Sequence, residues 1–429
     1  MTSTAERPIA ILSAPGSRGD VNPMVGIGHE LTQRGFDVVI SLAETYAELA
    51  QAKGLQTEAL ISQSEFDELL EDPNVWRPMT GAKAVLCNAA GKFIEPHLAV
   101  IQKHLRPGRT VLVAHPLDFA SRIFRDHDPT TPLVSVQLSP AIVRSAENPP
   151  RLSPWWLEPR RPPWLVSLAY TMADYLIADR FLAPSVNKVR SRLGLKSVSR
   201  ILDRWWLSPD MVLGLYPSWF GNTRPPCSGI WRTCGFPMEK SNEDLANYRA
   251  SFSSATDFRR SIFFTPGTAH RHARDFFLNA IEASRMLGRT CILATSQKGQ
   301  LPDTLPEHAT AVGYVNLDAT LRKCAAIVHH GGIGTTAAAF STGCPQLVCP
   351  MAFDQYHNAE CVYRLEAGKV LKNKPWKHSP ANVKGVASSL SELLNNAQTQ
   401  MQCDHFAKLN QDFRGSASAA DSIVTLLSS

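Results

Sequence analysis

No CxxC pair joins any two of the nine cysteines, their number is odd, and they are scattered along the chain, so neither a zinc site nor a disulfide framework is expected. They read as buried thiols of a reducing compartment. Nor does any apolar run approach the roughly twenty residues needed to cross a bilayer. The first such run, after the polar stretch Met1 to Arg7, is broken by Ser13, Pro15 and Gly16, so no signal peptide is expected. The expected location is the cytoplasm, with a peripheral contact at the inner face of a membrane left open. Charged residues are scarce at 19%, and the excess of +6 is spread along the chain, too diffuse for a nucleic-acid partner but compatible with an anionic substrate. Low-complexity tracts and internal repeats are absent. What remains is a chain of 429 residues, 44% hydrophobic, long enough for two domains with separate cores.

Short apolar runs separated by helical patterns give a βαβ rhythm. In the first half, strands are expected at Ile9 to Ser13, Val38 to Leu42, Val111 to Ala114, Leu133 to Leu138 and Met211 to Tyr216. Asn22 and Pro23 suit the cap and first position of the first helix, which would end at Gly35. A second series follows at Ser261 to Thr265, Cys291 to Ala294, Ala311 to Tyr314, Ala325 to His329 and Gln346 to Cys349. The expected architecture is α/β, two Rossmann-like doubly wound domains facing across a cleft. Residues 1–222 would form an acceptor-binding domain, 223–240 a Pro/Gly-rich linker, and 241–429 a nucleotide-binding domain with C-terminal helices.

The most informative stretch is His329-His330-Gly331-Gly332-Ile333-Gly334-Thr335-Thr336, between an apolar strand and an Ala-rich helix. Such a turn aims free backbone N–H groups and a helix N-terminus at an anion, and glycines let the backbone approach it. The same residues fit the GxGxxA fingerprint of dinucleotide-binding oxidoreductases, with Asp354 near the distance of a ribose-binding acid. That acid lies beyond the next strand rather than at its tip, which weighs against an NAD-dependent dehydrogenase. A binding protein without catalysis is the other rival. Near the start, Asp20 sits on the Gly-flanked turn Pro15-Gly16-Ser17-Arg18-Gly19-Asp20. It is either a general base raised by desolvation or a cap of the next helix.

Together these stretches resemble family-one glycosyltransferases of the GT-B fold. The run from Tyr314 to Gln355, including Pro350-Met351-Ala352-Phe353-Asp354-Gln355, is similar to their donor-binding signature, and the first loop is similar to that of the sterol and glycopeptide-antibiotic members. The segments Arg204 to Pro209 and Leu215 to Phe220, with Gly235-Phe236-Pro237, most resemble the rhamnosyltransferases of rhamnolipid biosynthesis. The resemblance implies an inverting transferase using a dTDP or UDP sugar, rhamnose-type favoured, and an apolar lipid-like acceptor; glucose moved to a sterol or polyketide-like aglycone is the alternative. It implies that Asp20 is the base, with Ser17 as helper, since the His that many members carry in that loop is missing. By the same resemblance Gly267, Thr268, His330, Gly332, Gly334 and Thr335 would hold the diphosphate, Tyr314 and Val315 border the nucleobase, and Asp354 and Gln355 bind the sugar. Asp118 matches an assisting acid whose partner His is not evident.

No metal or other cofactor is called for, because a helix dipole, backbone N–H groups and His330 can hold a departing diphosphate. The lone Asp-x-Asp, Asp126-His127-Asp128, reads as a solvated loop. Seven of the nine tryptophans fall between Trp155 and Trp231, and Trp155, Trp156 and Trp164 flank Arg160-Arg161 among prolines. That composition suits an acceptor lid or a membrane-interface contact as well as it suits plain packing.

Overall fold

The computed structural model describes residues 6–72, 75, 81, 83–86, 91–152, 160–221, 223–225, 227–237, 261–297, 299–371, 376–411 and 414–428. The chain divides into two units, Met1–Pro237 with Arg414–Ser429, and Met238–Phe413.

In the first unit seven strands form one sheet: β1 (Ile9–Ala14), β2 (Asp37–Ala43), β3 (Gln56–Ile61), β4 (Thr110–Ala114), β5 (Leu133–Gln137), β6 (Met211–Gly214) and β7 (Ile230–Thr233). Their order is β3-β2-β1-β4-β5-β6-β7, and every neighbouring pair is parallel. The chain winds outward from β1 through β2, then returns to place β4 on the other side of β1. The loops after β1 and β4 therefore flank the point where strand order reverses, the usual ligand position in such sheets. β1 and β4 are buried along their whole length, as a central parallel strand must be when helices cover both faces. One face packs Ile9, Ile11 and Leu112 against Ile94, Leu98 and Ile101 of helix Gly91–His104, with Leu182 and Val186 of helix Asp179–Arg192.

The second unit repeats the plan with β8 (Ile262–Thr265), β9 (Cys291–Ala294), β10 (Ala309–Val312), β11 (Ala326–His329), β12 (Gln346–Val348) and β13 (Gly368–Val370). Their order is β10-β9-β8-β11-β12-β13, again parallel throughout. Successive side chains alternate faces, which splits the core in two. Phe264, Leu293 and Val328 meet helices Arg274–Met286 and Pro380–Leu394, while Phe263, Ile292 and Ile327 meet Ala338 and Ala339. Here the order reverses between β8 and β11.

The structure departs from the sequence reading in three places. The stretch read as a linker carries β7, paired with β6, and the final helix Gly415–Ser428 packs on helix Arg18–Gln33 of the first unit instead of joining the second. The first helix begins at Arg18, capped by Ser17, so Pro23 lies inside it and Asn22 is not its cap. The Asp-x-Asp is not a solvated loop. Asp126 accepts from Arg122, Arg190 and the Trp205 indole, and Asp128 from Thr130 and Thr131, so both carboxylates serve local ion pairs and turns. The eight described cysteines are free thiols.

Candidate active site

Each unit gathers polar side chains where its sheet order reverses. In the first, the turn leaving β1 folds back so that the Ser17 N–H and Ser17 Oγ both donate to Asp20 Oδ2, at 2.8 and 3.0 Å. Only glycine fits at 16, because a Cβ there would lie 2.4 Å from that oxygen. A third donor comes from the loop after β4: His115 Nε2 stands 3.3 Å from Asp20 Oδ1. The Leu117 N–H donates to His115 Nδ1, which makes that nitrogen the acceptor and leaves the ring proton on Nε2, facing the carboxylate. The His115 side chain is buried while that of Asp20 keeps 34% exposure, so it is the carboxylate that can meet a ligand.

Burial raises the Asp20 pKa, but the hydrogen bond and charge interaction with His115, then the two bonds from Ser17, outweigh it and hold the group below the usual aspartate value. This corrects the expectation that desolvation would raise it. Asp20 is ionised at neutral pH and is a weak base.

Behind it lies a second network. Asp118, fully buried, accepts from Ser13 Oγ and Ser121 Oγ, both at 2.6 Å, and His97 Nε2 lies 3.2 Å from it. Burial raises its pKa, and His97 and the two hydroxyls more than compensate, bringing it to about 2. Ser13 in turn accepts the His115 N–H at 3.1 Å. Asp118 therefore does have a histidine partner, His97, but it acts at a distance by holding Ser13 and His115 in place. Sequence reasoning missed His115 and His97. Nothing local marks either, since each meets its acid across a long stretch of chain.

In the second unit, the turn after β11 leads into helix Ile333–Thr342, capped by Gly332. The first-turn N–H groups of such a helix have no partner within it and point outward with its positive end. The Thr336 N–H and hydroxyl return to the Gly332 carbonyl, fixing the turn. Gly331 adopts φ +93°, and its N–H donates to His329 Nδ1. The His330 ring is boxed by two glycines: a Cβ on Gly267 would lie 2.5 Å from its Cε1, and one on Gly332 2.4 Å from its Nε2. Gly267, at φ +88°, belongs to the loop after β8, so the turns of β8 and β11 meet at this ring, with Thr268 exposed beside it. Burial, then the neighbouring His329 and His270, lower the His330 pKa to about 3, so the ring is neutral. Its Nδ1 is buried without a hydrogen-bond partner, an arrangement costing about 1–3 kcal/mol.

The loop after β12 closes on the same turn. The Gln355 backbone packs on Gly331, and Asn358 Nδ2 bridges the Gly331 carbonyl and Asp354 Oδ2, at 2.9 and 2.8 Å. Asn358, one helical turn beyond Asp354, was not singled out in the sequence although the i,i+4 spacing was visible. Gln355 Oε1 accepts the Met351 and Ala352 N–H groups, so its amide N–H groups remain to donate to a ligand. Tyr314, on the loop after β10, is 53% exposed, and Val315 packs against the core beneath it. Gly334 is open, with no atom within 4 Å of a Cβ built there, and Thr335 follows it in the first helical turn. Trp164 stands 67% exposed on helix Pro163–Ala173; Trp155 and Trp156 lie outside the described residues.

Comparison with known proteins bears on the fold and the class of enzyme. Residues 283–411 match the family described as the erythromycin biosynthesis protein CIII-like C-terminal domain. Across 380 residues, 81% of each chain, the protein is 28% identical to the O-mycaminosyltylonolide 6-deoxyallosyltransferase of Streptomyces fradiae. It is 35% identical to the aclacinomycin-T 2-deoxy-L-fucose transferase of Streptomyces galilaeus, but over only 118 residues, about a quarter of that relative's length. The solved spinosyn rhamnosyltransferase complexed with thymidine diphosphate superimposes with a TM-score of 0.66 at 18% identity, covering 98% of this chain and 100% of that one. Two parallel-sheet α/β units with these neighbours define the GT-B fold. The chain is a nucleotide-sugar-dependent glycosyltransferase, similar to the antibiotic-type members of family one, and the oxidoreductase reading of the Gly332 turn is set aside.

Proposed function

We propose that this glycosyltransferase moves a deoxyhexosyl group, rhamnose-type favoured, from a dTDP or UDP sugar to a hydroxyl of an apolar acceptor, with inversion at the anomeric carbon. The observation that carries the reaction is Asp20: an ionised, partly exposed carboxylate held by Ser17 and His115 at a sheet switch point. Asp20 takes the acceptor's hydroxyl proton as that oxygen bonds to the anomeric carbon. The bond from that carbon to the diphosphate breaks, and its electron pair leaves with the phosphate. A weak base suffices, because the hydroxyl becomes acidic only as the new bond forms. The first-turn N–H groups of helix Ile333–Thr342, with Gly267, Thr268, His330 and Thr335, receive the diphosphate charge. Asp354 and Gln355 hold the sugar, Tyr314 and Val315 border the base, and the scheme calls on no metal.

The deoxyhexose reading is supported by the relatives, whose names carry 6-deoxyallose, 2-deoxy-L-fucose and rhamnose, and the thymidine base by the diphosphate in the last. For the acceptor, a hydroxylated fatty acid or its glycolipid is the first reading. The second is a sterol or polyketide-like aglycone; it is favoured by the same names, which carry O-mycaminosyltylonolide, aclacinomycin-T and spinosyn, none of them a fatty acid. Incubation with dTDP-rhamnose or UDP-glucose, each against a hydroxy fatty acid, a sterol and a macrolide aglycone, separates these readings by mass spectrometry. Transfer of rhamnose to the fatty acid supports the first; product from UDP-glucose with only a sterol or macrolide supports the second.

A further inference from the structure

We propose that the outward face of the helix running from Pro163 through Ala178 is a docking surface for an anionic lipid bilayer. Trp164, Leu168, Met172 and Tyr175 are all exposed, and at 100° per residue they fall within about 80° of one helical face. Leu176, 62% exposed, and Ile177 extend the apolar surface through the following π-turn, Asp174–Ala178. So many large apolar side chains side by side on one helix of a folded unit mark an interaction surface.

The charges say what covers it. Between Arg160 and Lys188 the exposed charged side chains are Arg160, Arg161, Arg180 and Lys188, all cationic. Both acids of that stretch point inward. Asp174, fully buried, pairs with Arg144 and accepts the Asp203 N–H, while Asp179 accepts the Arg200 and Ile201 N–H groups. The inner face is further fixed by Val166, by the Tyr170 hydroxyl on the Ser145 carbonyl, and by the Arg144 guanidinium over the Tyr170 ring. A helix with an apolar outer stripe and a tryptophan at one end, flanked by the exposed cations Arg160, Arg161, Arg180 and Lys188, suits the headgroup boundary of an acidic membrane. It lies on the surface, since among the described residues no helix is long and apolar enough to cross a bilayer. This inference does not rest on which sugar or acceptor the enzyme uses.

The test is sedimentation of the full chain with vesicles of phosphatidylcholine alone, and with about one third phosphatidylglycerol added, at low and high salt. Wild type is expected to bind the anionic vesicles and to be released by salt. Leu168→Gln with Leu176→Gln, and separately Arg160→Gln with Arg161→Gln, are each expected to weaken binding about tenfold or more, with melting temperatures unchanged because all four side chains are exposed. Absence of vesicle binding by wild type overturns the proposal, as does binding insensitive to both double variants. Conversion of a dimer to a monomer by the leucine pair, seen by analytical ultracentrifugation, would assign the face to a second copy of the chain and equally overturn it.

Discussion

Gly332→Ala separates the proposed diphosphate cradle from the fold. Gly332 has φ −60° and ψ 140°, which alanine adopts without strain, so any effect comes from the new methyl group. That Cβ would lie 2.4 Å from His330 Nε2 and 3.0 Å from its Cε1, against an ordinary contact of about 3.5–4.0 Å. The ring must move by about 1 Å, and Gly267 also packs closely against it. A charge-assisted hydrogen bond to a phosphate is worth about 1.5–3 kcal/mol, so displacing the ring should weaken nucleoside-diphosphate binding roughly ten- to hundredfold. Calorimetric titration with dTDP, on wild type, Gly332→Ala, His330→Ala and the double variant, measures this. The double variant should bind no worse than His330→Ala alone, because the methyl then has nothing to displace. An unchanged affinity in Gly332→Ala, or additive losses in the double variant, would refute the reasoning.

Three further outcomes are expected. Asp354→Ala should weaken a sugar nucleotide far more than the free nucleotide, since the carboxylate is proposed to meet only the sugar; equal losses in competition binding would remove that role. His115→Asn keeps an acceptor for the Leu117 N–H but is too short to reach Asp20, so the Asp20 pKa should rise and the acidic limb of kcat/KM should move to higher pH, a shift that a purely structural histidine would not produce. The Asp118 carboxyl titrates near 2 when folded and near 3.8 otherwise, so its contribution, on the order of 2 kcal/mol, is present above pH 4 and lost as the pH falls from about 4 toward 2. Asp118→Asn should flatten acid unfolding in that window; an unchanged acid limb in the melting profile would argue against the network.

What could be read from the sequence follows burial. β1, β4, β8 and β11 are covered on both faces and therefore appear as mostly apolar runs. β3, β7 and β13 are edge strands, and Gln56, Glu58, Arg232 and Lys369 interrupt their pattern, so they were not recognisable. The start of the first helix was misplaced because Pro23 is a strong signal for a first position, while Ser17, three residues before Asp20, gives the true cap. The His330 turn and the Asp354-Gln355 loop were visible because each is contiguous. The Asp20–His115 pair was not, because 95 residues separate its members and only the order of strands brings them together.

The most direct test of the account is Asp20→Asn. The amide still offers an oxygen to the Ser17 N–H and hydroxyl, so the turn should hold, but it can no longer take a proton. The account predicts a fall in kcat of about 10²- to 10⁴-fold, with dTDP or UDP affinity changed by less than about threefold. Transfer within about tenfold of wild type would show that another group is the base, and would contradict the central claim.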